Sequence, residues 1–219
     1  MAHGLVVFDL DGTLVDSSTD LAGSVNAMLA ELAPGVPVLP LPVVRGFIGE
    51  GAALLVSRSL ARAGVELSLE RALPAFLAAY GQRLLETTRP YPGIPAALRA
   101  LSAHTLAVLT NKPGDLSRLL LDGLGLSARF RHVLGGGDLP ARKPDPVGLL
   151  ELMRLTGCGP RQTLFVGDSR VDVETGRAAA VPVLGVTWGL DPEGLRASSP
   201  DLLLDTPAAL VAAVEERLC

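Results

Sequence analysis

Two aspartates stand two positions apart in Phe8-Asp9-Leu10-Asp11-Gly12-Thr13-Leu14, directly after the apolar, β-branched run at residues 4–8. Such a run closed by Asp-Leu-Asp-Gly predicts a buried strand ending in a turn. In open α/β sheets that end faces the crevice where ligands bind. One aspartate there serves equally well as an Asx turn or a helix cap; two shift the balance toward chemistry. Three further segments have the same character. Val108-Leu109-Thr110-Asn111-Lys112 runs from a strand into a hydroxyl, an amide and an ammonium, all able to donate to phosphoryl oxygens. Arg142-Lys143-Pro144-Asp145-Pro146 puts an ammonium just before a helix whose first turn accepts Pro146. Phe165-Val166-Gly167-Asp168-Ser169-Arg170-Val171-Asp172 ends a strand in one carboxylate and opens a helix with another.

Each segment alone reads as capping or as a solvated loop. Together they would converge Asp9, Asp11, Asp168 and Asp172 on one crevice, and two like charges about 4 Å apart repel by roughly 4 kcal/mol at an effective dielectric of 20. Such a cluster calls for a compensating cation, and oxygen-only ligands suit Mg²⁺.

The elements that must position these groups follow from periodicity. Strands are expected at 4–8, 105–109, 133–134, 163–166, 181–186 and 202–204, and helices at 115–124, 146–156, 171–180 and 207–218. This alternation predicts a parallel sheet covered on both faces. Residues 15–88 break the rhythm with Leu/Ala periodicity at 18–32, 52–63 and 69–85, predicting an all-helical insertion. Asp16, Ser17 and Ser18 offer capping groups where it begins, and Arg89-Pro90-Tyr91-Pro92-Gly93 ends its last helix. The expected organisation is an α/β core of residues 1–14 plus 89–219 and a helical cap of residues 15–88.

Composition narrows the partners. The 219 residues carry 19 basic and 23 acidic side chains, a net charge of -4, which lacks the basic excess that nucleic acid demands. No apolar stretch of about 20 residues suggests a membrane span, and Cys158 and Cys219 have no framework or zinc-site spacing. A cytoplasmic protein with ordinary thiols is expected, as monomer or homodimer. Seventeen of the bases are Arg and only Lys112 and Lys143 are Lys. His3, His104 and His132 are scattered and read as structural or solvated, Lys112 as a solvated lysine at the rim, and Trp188 as packing beside the site.

The four motifs in this order, with a helical insertion after the first, resemble the haloacid dehalogenase-like hydrolases along the whole chain. Gly135-Gly136-Gly137-Asp138-Leu139-Pro140 and Val44-Arg45-Gly46-Phe47-Ile48-Gly49 are similar to the phosphoglycolate phosphatase branch. The resemblance implies a Rossmann-like core and a Mg²⁺-dependent phosphatase in which Asp9 is the nucleophile and Asp11 the general acid and base. It implies phosphate binding by Thr110, Asn111 and Lys143. It further implies metal binding by Asp9, the backbone carbonyl of Asp11, Asp168 and, directly or through water, Asp172. Asp11 argues against the dehalogenase members, which have no alkoxide to protonate. A cis peptide is expected at Lys143-Pro144. Arg45, Gly49 and Glu50 in the cap are the candidates for reaching a small phosphate monoester, 2-phosphoglycolate foremost because a guanidinium suits its carboxylate; a solvated Arg45 is the competing reading. Other phosphate monoesters, a β-phosphoglucomutase-like phosphomutase and a phospho-accepting signalling receiver remain the alternatives.

Overall fold

The computed structural model describes residues 4–218; His3 and Cys219 lie outside the described residues. In chain order the elements begin with β1 (Leu5–Phe8), β2 (Val15–Asp16), α1 (Ser18–Leu32), α2 (Leu41–Arg45), α3 (Ala52–Ala63), α4 (Leu69–Arg83) and β3 (Arg89–Pro90). They continue with α5 (Ile94–Ala100), β4 (Thr105–Pro113), α6 (Gly114–Gly123), β5 (His132–Gly136), α7 (Val147–Thr156) and β6 (Thr163–Gly167). The chain closes with α8 (Arg170–Ala178), β7 (Val183–Val186), α9 (Pro192–Ala197), β8 (Leu202–Leu204) and α10 (Pro207–Leu218).

Six strands form one parallel sheet in the order β5-β4-β1-β6-β7-β8. After β4 and β5 the chain crosses β1 to build β6, so the strand order reverses at β1, where a crevice opens beyond the carboxyl ends. Alternate residues feed opposite faces. Val6, Phe8, Val108 and Val166 join α5, α6 and α10 through Leu98, Leu120 and Val214 in one apolar cluster. Leu5, Val7, Ala107 and Phe165 join α7, α8 and α9 through Leu149, Val173 and Leu195 in another.

Helices α1–α4 stand between β2 and β3, which pair antiparallel with Val15 opposite Pro90 and Asp16 opposite Arg89. The first apolar cluster runs on into them through Leu21, Met28, Leu55, Phe76 and Tyr80. Asp16 caps α1 by accepting from the Ser18 amide and hydroxyl at 3.0 and 2.6 Å, while Ser17 turns its hydroxyl elsewhere.

Several boundaries differ from the sequence expectation. The strand expected at 181–186 begins at Val183, because Pro182 has no N–H to offer the ladder. That expected at 105–109 runs on to Pro113 through a register shift after Leu109, carrying Thr110, Asn111 and Lys112 on the strand itself. Short α2, α5 and α9, each with a proline at its start, lie below the length at which periodicity is visible.

A buried carboxylate clamps the two ends of the helical segment together. Asp20, 2% exposed, accepts from the Thr87 amide at 3.0 Å and hydroxyl at 2.5 Å, and from the Thr88 amide at 2.8 Å and hydroxyl at 2.7 Å. Burial pushes its carboxyl up, but these donors outweigh it and hold the pKa below the ordinary value. Asp20→Ala, which strands the buried donors of Thr88, should cost about 2–4 kcal/mol at neutral pH in urea unfolding. A lowered folded-state pKa stabilises above the unfolded carboxylate value and loses that effect as pH falls through the folded one. The gap between wild type and Asp20→Ala should therefore shrink on acidification.

Candidate active site

Asp9 follows β1 immediately, Thr110–Lys112 end β4, Lys143 sits in the loop after β5, and Asp168 follows β6. These are the three strands at the reversal and the edge strand beside them, so the four motifs meet at one crevice. All these side chains are buried. Gly12 makes the turn after Asp11 with φ +89°, and a Cβ there would lie 2.2 Å from Asp168 Oδ2. Only glycine allows β1's loop this close to Asp168.

Lys143 is the electrostatic centre. The residue is 4% exposed, and its ammonium lies 2.9 Å from Asp9 Oδ1 and 2.6 Å from Asp172 Oδ1. Burial works against the charge, yet Asp172 and then Asp9 raise the Lys143 pKa above that of an ordinary lysine. The Lys143-Pro144 peptide is cis, as expected.

Asp9 Oδ1 also accepts from the Leu10 amide at 2.7 Å, and no hydrogen bond reaches Oδ2 among the described residues. Burial first, and the repulsion of Asp172 against the pull of Lys143, push the Asp9 pKa up to about 6. Asp168 is raised well above the ordinary carboxylate range by burial, then by Asp172 and Asp9, despite bonds from the Leu190 amide at 2.7 Å and the Thr13 hydroxyl at 3.1 Å. Asp172 Oδ2 accepts from the Ser169 amide and hydroxyl at 3.1 and 2.6 Å, so Ser169 rather than Asp168 caps α8.

A divalent cation fits this arrangement. Asp9, Asp168 and Asp172 each place a carboxylate oxygen within 4.8 Å of the others. One ammonium leaves the trio with a net negative charge. The raised carboxyl groups are those that such a cation would return to their charged form, and the all-oxygen donor set matches a hard metal.

The remaining residues fall on two sides. Thr110 Oγ1 accepts from the Lys112 amide at 3.3 Å, leaving its own proton to donate. The Asn111 side-chain amide nitrogen spans the Gly49 carbonyl at 3.1 Å and the Lys143 carbonyl at 3.0 Å. It ties the α2–α3 loop to the lysine loop. Arg45 Nη2 donates to the Gly189 carbonyl at 2.9 Å, beside the segment that holds Asp168, and Glu50 pairs with Arg58 at 2.7 Å. Both line the crevice with Asp9 and Asp168, and neither is a free solvated charge. Trp188 donates to the Thr13 carbonyl at 3.1 Å, packing beside the site.

The expectation of a solvated Lys112 is overturned. Lys112 is 5% exposed and lies 2.9 Å from Asp11 Oδ1, and it also hydrogen-bonds the Tyr80 hydroxyl of α4. The extension of β4 past Leu109 carries it inward. Ser17 completes the setting of Asp11, donating to Oδ1 at 2.5 Å. Neither Ser17 nor Tyr80 was singled out as a site residue in the sequence. Ser17, six residues after Asp11 and next to a capping aspartate, carried a weak signal. Tyr80 carried none, since an aromatic at helical spacing reads as core.

Known proteins share this framework. A profile of the haloacid dehalogenase-like hydrolases matches residues 6–186, from β1 to the end of β7. A phosphoglycolate phosphatase of Pseudomonas putida is 44% identical over 215 residues, covering 94% of this chain and 78% of the relative. One from Haemophilus influenzae is 39% identical over 217 residues, covering 94% and 96%. A crystal structure from Haemophilus somnus, described as a predicted phosphoglycolate phosphatase, superposes with a TM-score of 0.90 at 34% identity over 97% of this chain and 98% of that one. With the profile spanning β1, the lysine loop and the aspartate cluster alike, the chain belongs to the haloacid dehalogenase-like hydrolase family.

Proposed function

We propose that this chain is a Mg²⁺-dependent phosphatase that hydrolyses a small phosphate monoester, 2-phosphoglycolate first among them, through a phosphorylated Asp9. The observation that carries the reading is Asp9 itself. Its Oδ1 is fixed by Lys143 and the Leu10 amide, which leaves Oδ2 available to phosphorus. The names of the relatives at 39–44% identity support the substrate.

Oδ2 of Asp9 attacks phosphorus, and the bond from phosphorus to the substrate's alkoxy oxygen breaks as Asp11, on the same pocket, passes a proton to that oxygen. Glycolate leaves. Asp11 then takes a proton from water, whose oxygen attacks the phosphorus and releases Asp9 and inorganic phosphate. Lys143 and the Thr110 hydroxyl stabilise the oxygens of the group in transit. Asp9, the Asp11 backbone carbonyl and Asp168, with Asp172 directly or through water, would hold Mg²⁺, which would supply positive charge to offset the carboxylates and the phosphoryl oxygens. Helices α1–α4 form a cap that covers the crevice and excludes water from the phosphorylated aspartate.

Phosphate release from 2-phosphoglycolate should require Mg²⁺ and fall by roughly four orders of magnitude in Asp9→Asn. Substantial turnover in that variant, read by colorimetric phosphate assay, refutes the nucleophile.

The cluster also predicts how Mg²⁺ alters stability. Asp9 ionises near pH 6 in the folded protein against 3.8 for an ordinary aspartate, so without metal the fold loses stability as pH rises across that interval. Mg²⁺ binds the ionised form and reverses this loss. In thermal melts, millimolar MgCl₂ should raise Tm by several degrees near pH 7.5 and by less than half as much near pH 5. An equal shift at both pH values would count against Asp9 as a ligand.

A further inference from the structure

Beside Asp9 and Asp11 lies a small, mostly apolar pocket. Ile48, Leu55, Phe76 and Leu77 give it apolar walls, and Lys112 is the basic side chain among its described lining residues. The phosphoryl chemistry set out above uses Asp9, Asp11, Thr110 and Lys143, and this ammonium enters it only through its contact with Asp11. An ammonium buried among apolar groups is costly unless its hydrogens are taken up. Both Asp11 oxygens, at 2.9 and 3.1 Å, and the Tyr80 hydroxyl take them up, and the Tyr80 ring centroid lies 4.4 Å from the nitrogen. The ammonium still forms part of the pocket wall beside Asp11.

A substrate with its phosphorus on Asp9 and its leaving oxygen on Asp11 places the atoms beyond that oxygen next to Lys112. Arg45, the residue expected from the sequence to meet a carboxylate, donates instead to the Gly189 carbonyl on the Asp168 side of the crevice. We propose that Lys112 is the specificity-determining residue, receiving the substrate's carboxylate in the pocket between β4 and α4. This rests on the phosphatase reading above and deepens it. The chain carries seventeen Arg and two Lys, and a compact ammonium fits a cleft already occupied by Asp11 and Tyr80 where a guanidinium fork does not. Tyr80 holds the ammonium from the cap side, so the pocket is complete only with α4 in place.

The test compares 2-phosphoglycolate with 2-hydroxyethyl phosphate, which replaces the carboxylate by a neutral alcohol and has a leaving oxygen of similar basicity. Lys112 also orients Asp11, so Lys112→Met slows both substrates through the proton transfer, and that shared loss cancels in the ratio of kcat/KM values. Wild type should prefer 2-phosphoglycolate, and the preference should fall about 30-fold or more in Lys112→Met. Lys112→Gln, which keeps donors toward Asp11 and Tyr80, serves as the second variant if the apolar one does not fold and should lose the preference likewise. A wild type that prefers 2-phosphoglycolate and variants that keep the preference overturn the assignment of Lys112 alone. A wild type that releases phosphate from both with no preference overturns the substrate reading and this inference together, and an Mg²⁺-independent or inactive wild type overturns the phosphatase reading beneath them.

Discussion

The ion pairs of Lys143 with Asp9 and Asp172 organise the rest of the structure. Three carboxylates from β1, β6 and the start of α8 lie within reach of one another in the protein interior, where like charges repel strongly. One buried ammonium relieves part of that repulsion and leaves the remainder as an affinity for a divalent cation. The sheet order follows the same need: β1 must lie between β4 and β6 for the lysine loop, the threonine and the second pair of aspartates to reach the first.

A second ion pair, Lys112 with Asp11, repeats the arrangement on the other side of the crevice, with α4 reaching in through Tyr80. The two lysines divide the work. Lys143 stands with Asp9 and Asp172, whereas Lys112 stands with Asp11 and the helical segment. The apolar cluster that joins the sheet face to α1, α3 and α4 makes this second arrangement continuous with the core. Burial works against both ammonium charges, and the acidic groups beside each outweigh it and hold its pKa above the ordinary lysine range.

The helical segment is tethered by polar contacts at its ends and across its face. Asp20 draws residues 87 and 88 back to the start of α1, and Asn111 links the Gly49 loop to the loop of Lys143. These contacts position a cover over the crevice using groups whose own chemistry is ordinary. Such residues look unremarkable in a sequence, because a serine, an asparagine or a tyrosine at helical spacing reads as cap, loop or core.

Sequence alone was sufficient for the parallel α/β core, the helical insertion and the four segments that carry Asp9, Thr110, Lys143 and Asp168. Period-2 apolar runs that stop at charged residues mark where a strand leaves the core, and that information is local. Tertiary structure decided what is not local. The bulge that prolongs β4 turned Lys112 inward, the approach of α4 supplied Tyr80, and the Gly189 carbonyl took up Arg45 Nη2 at the crevice. Each depends on contacts between residues tens of positions apart or more. Charge on a side chain is written in the sequence, but its burial and its partner are set only when distant segments close around it.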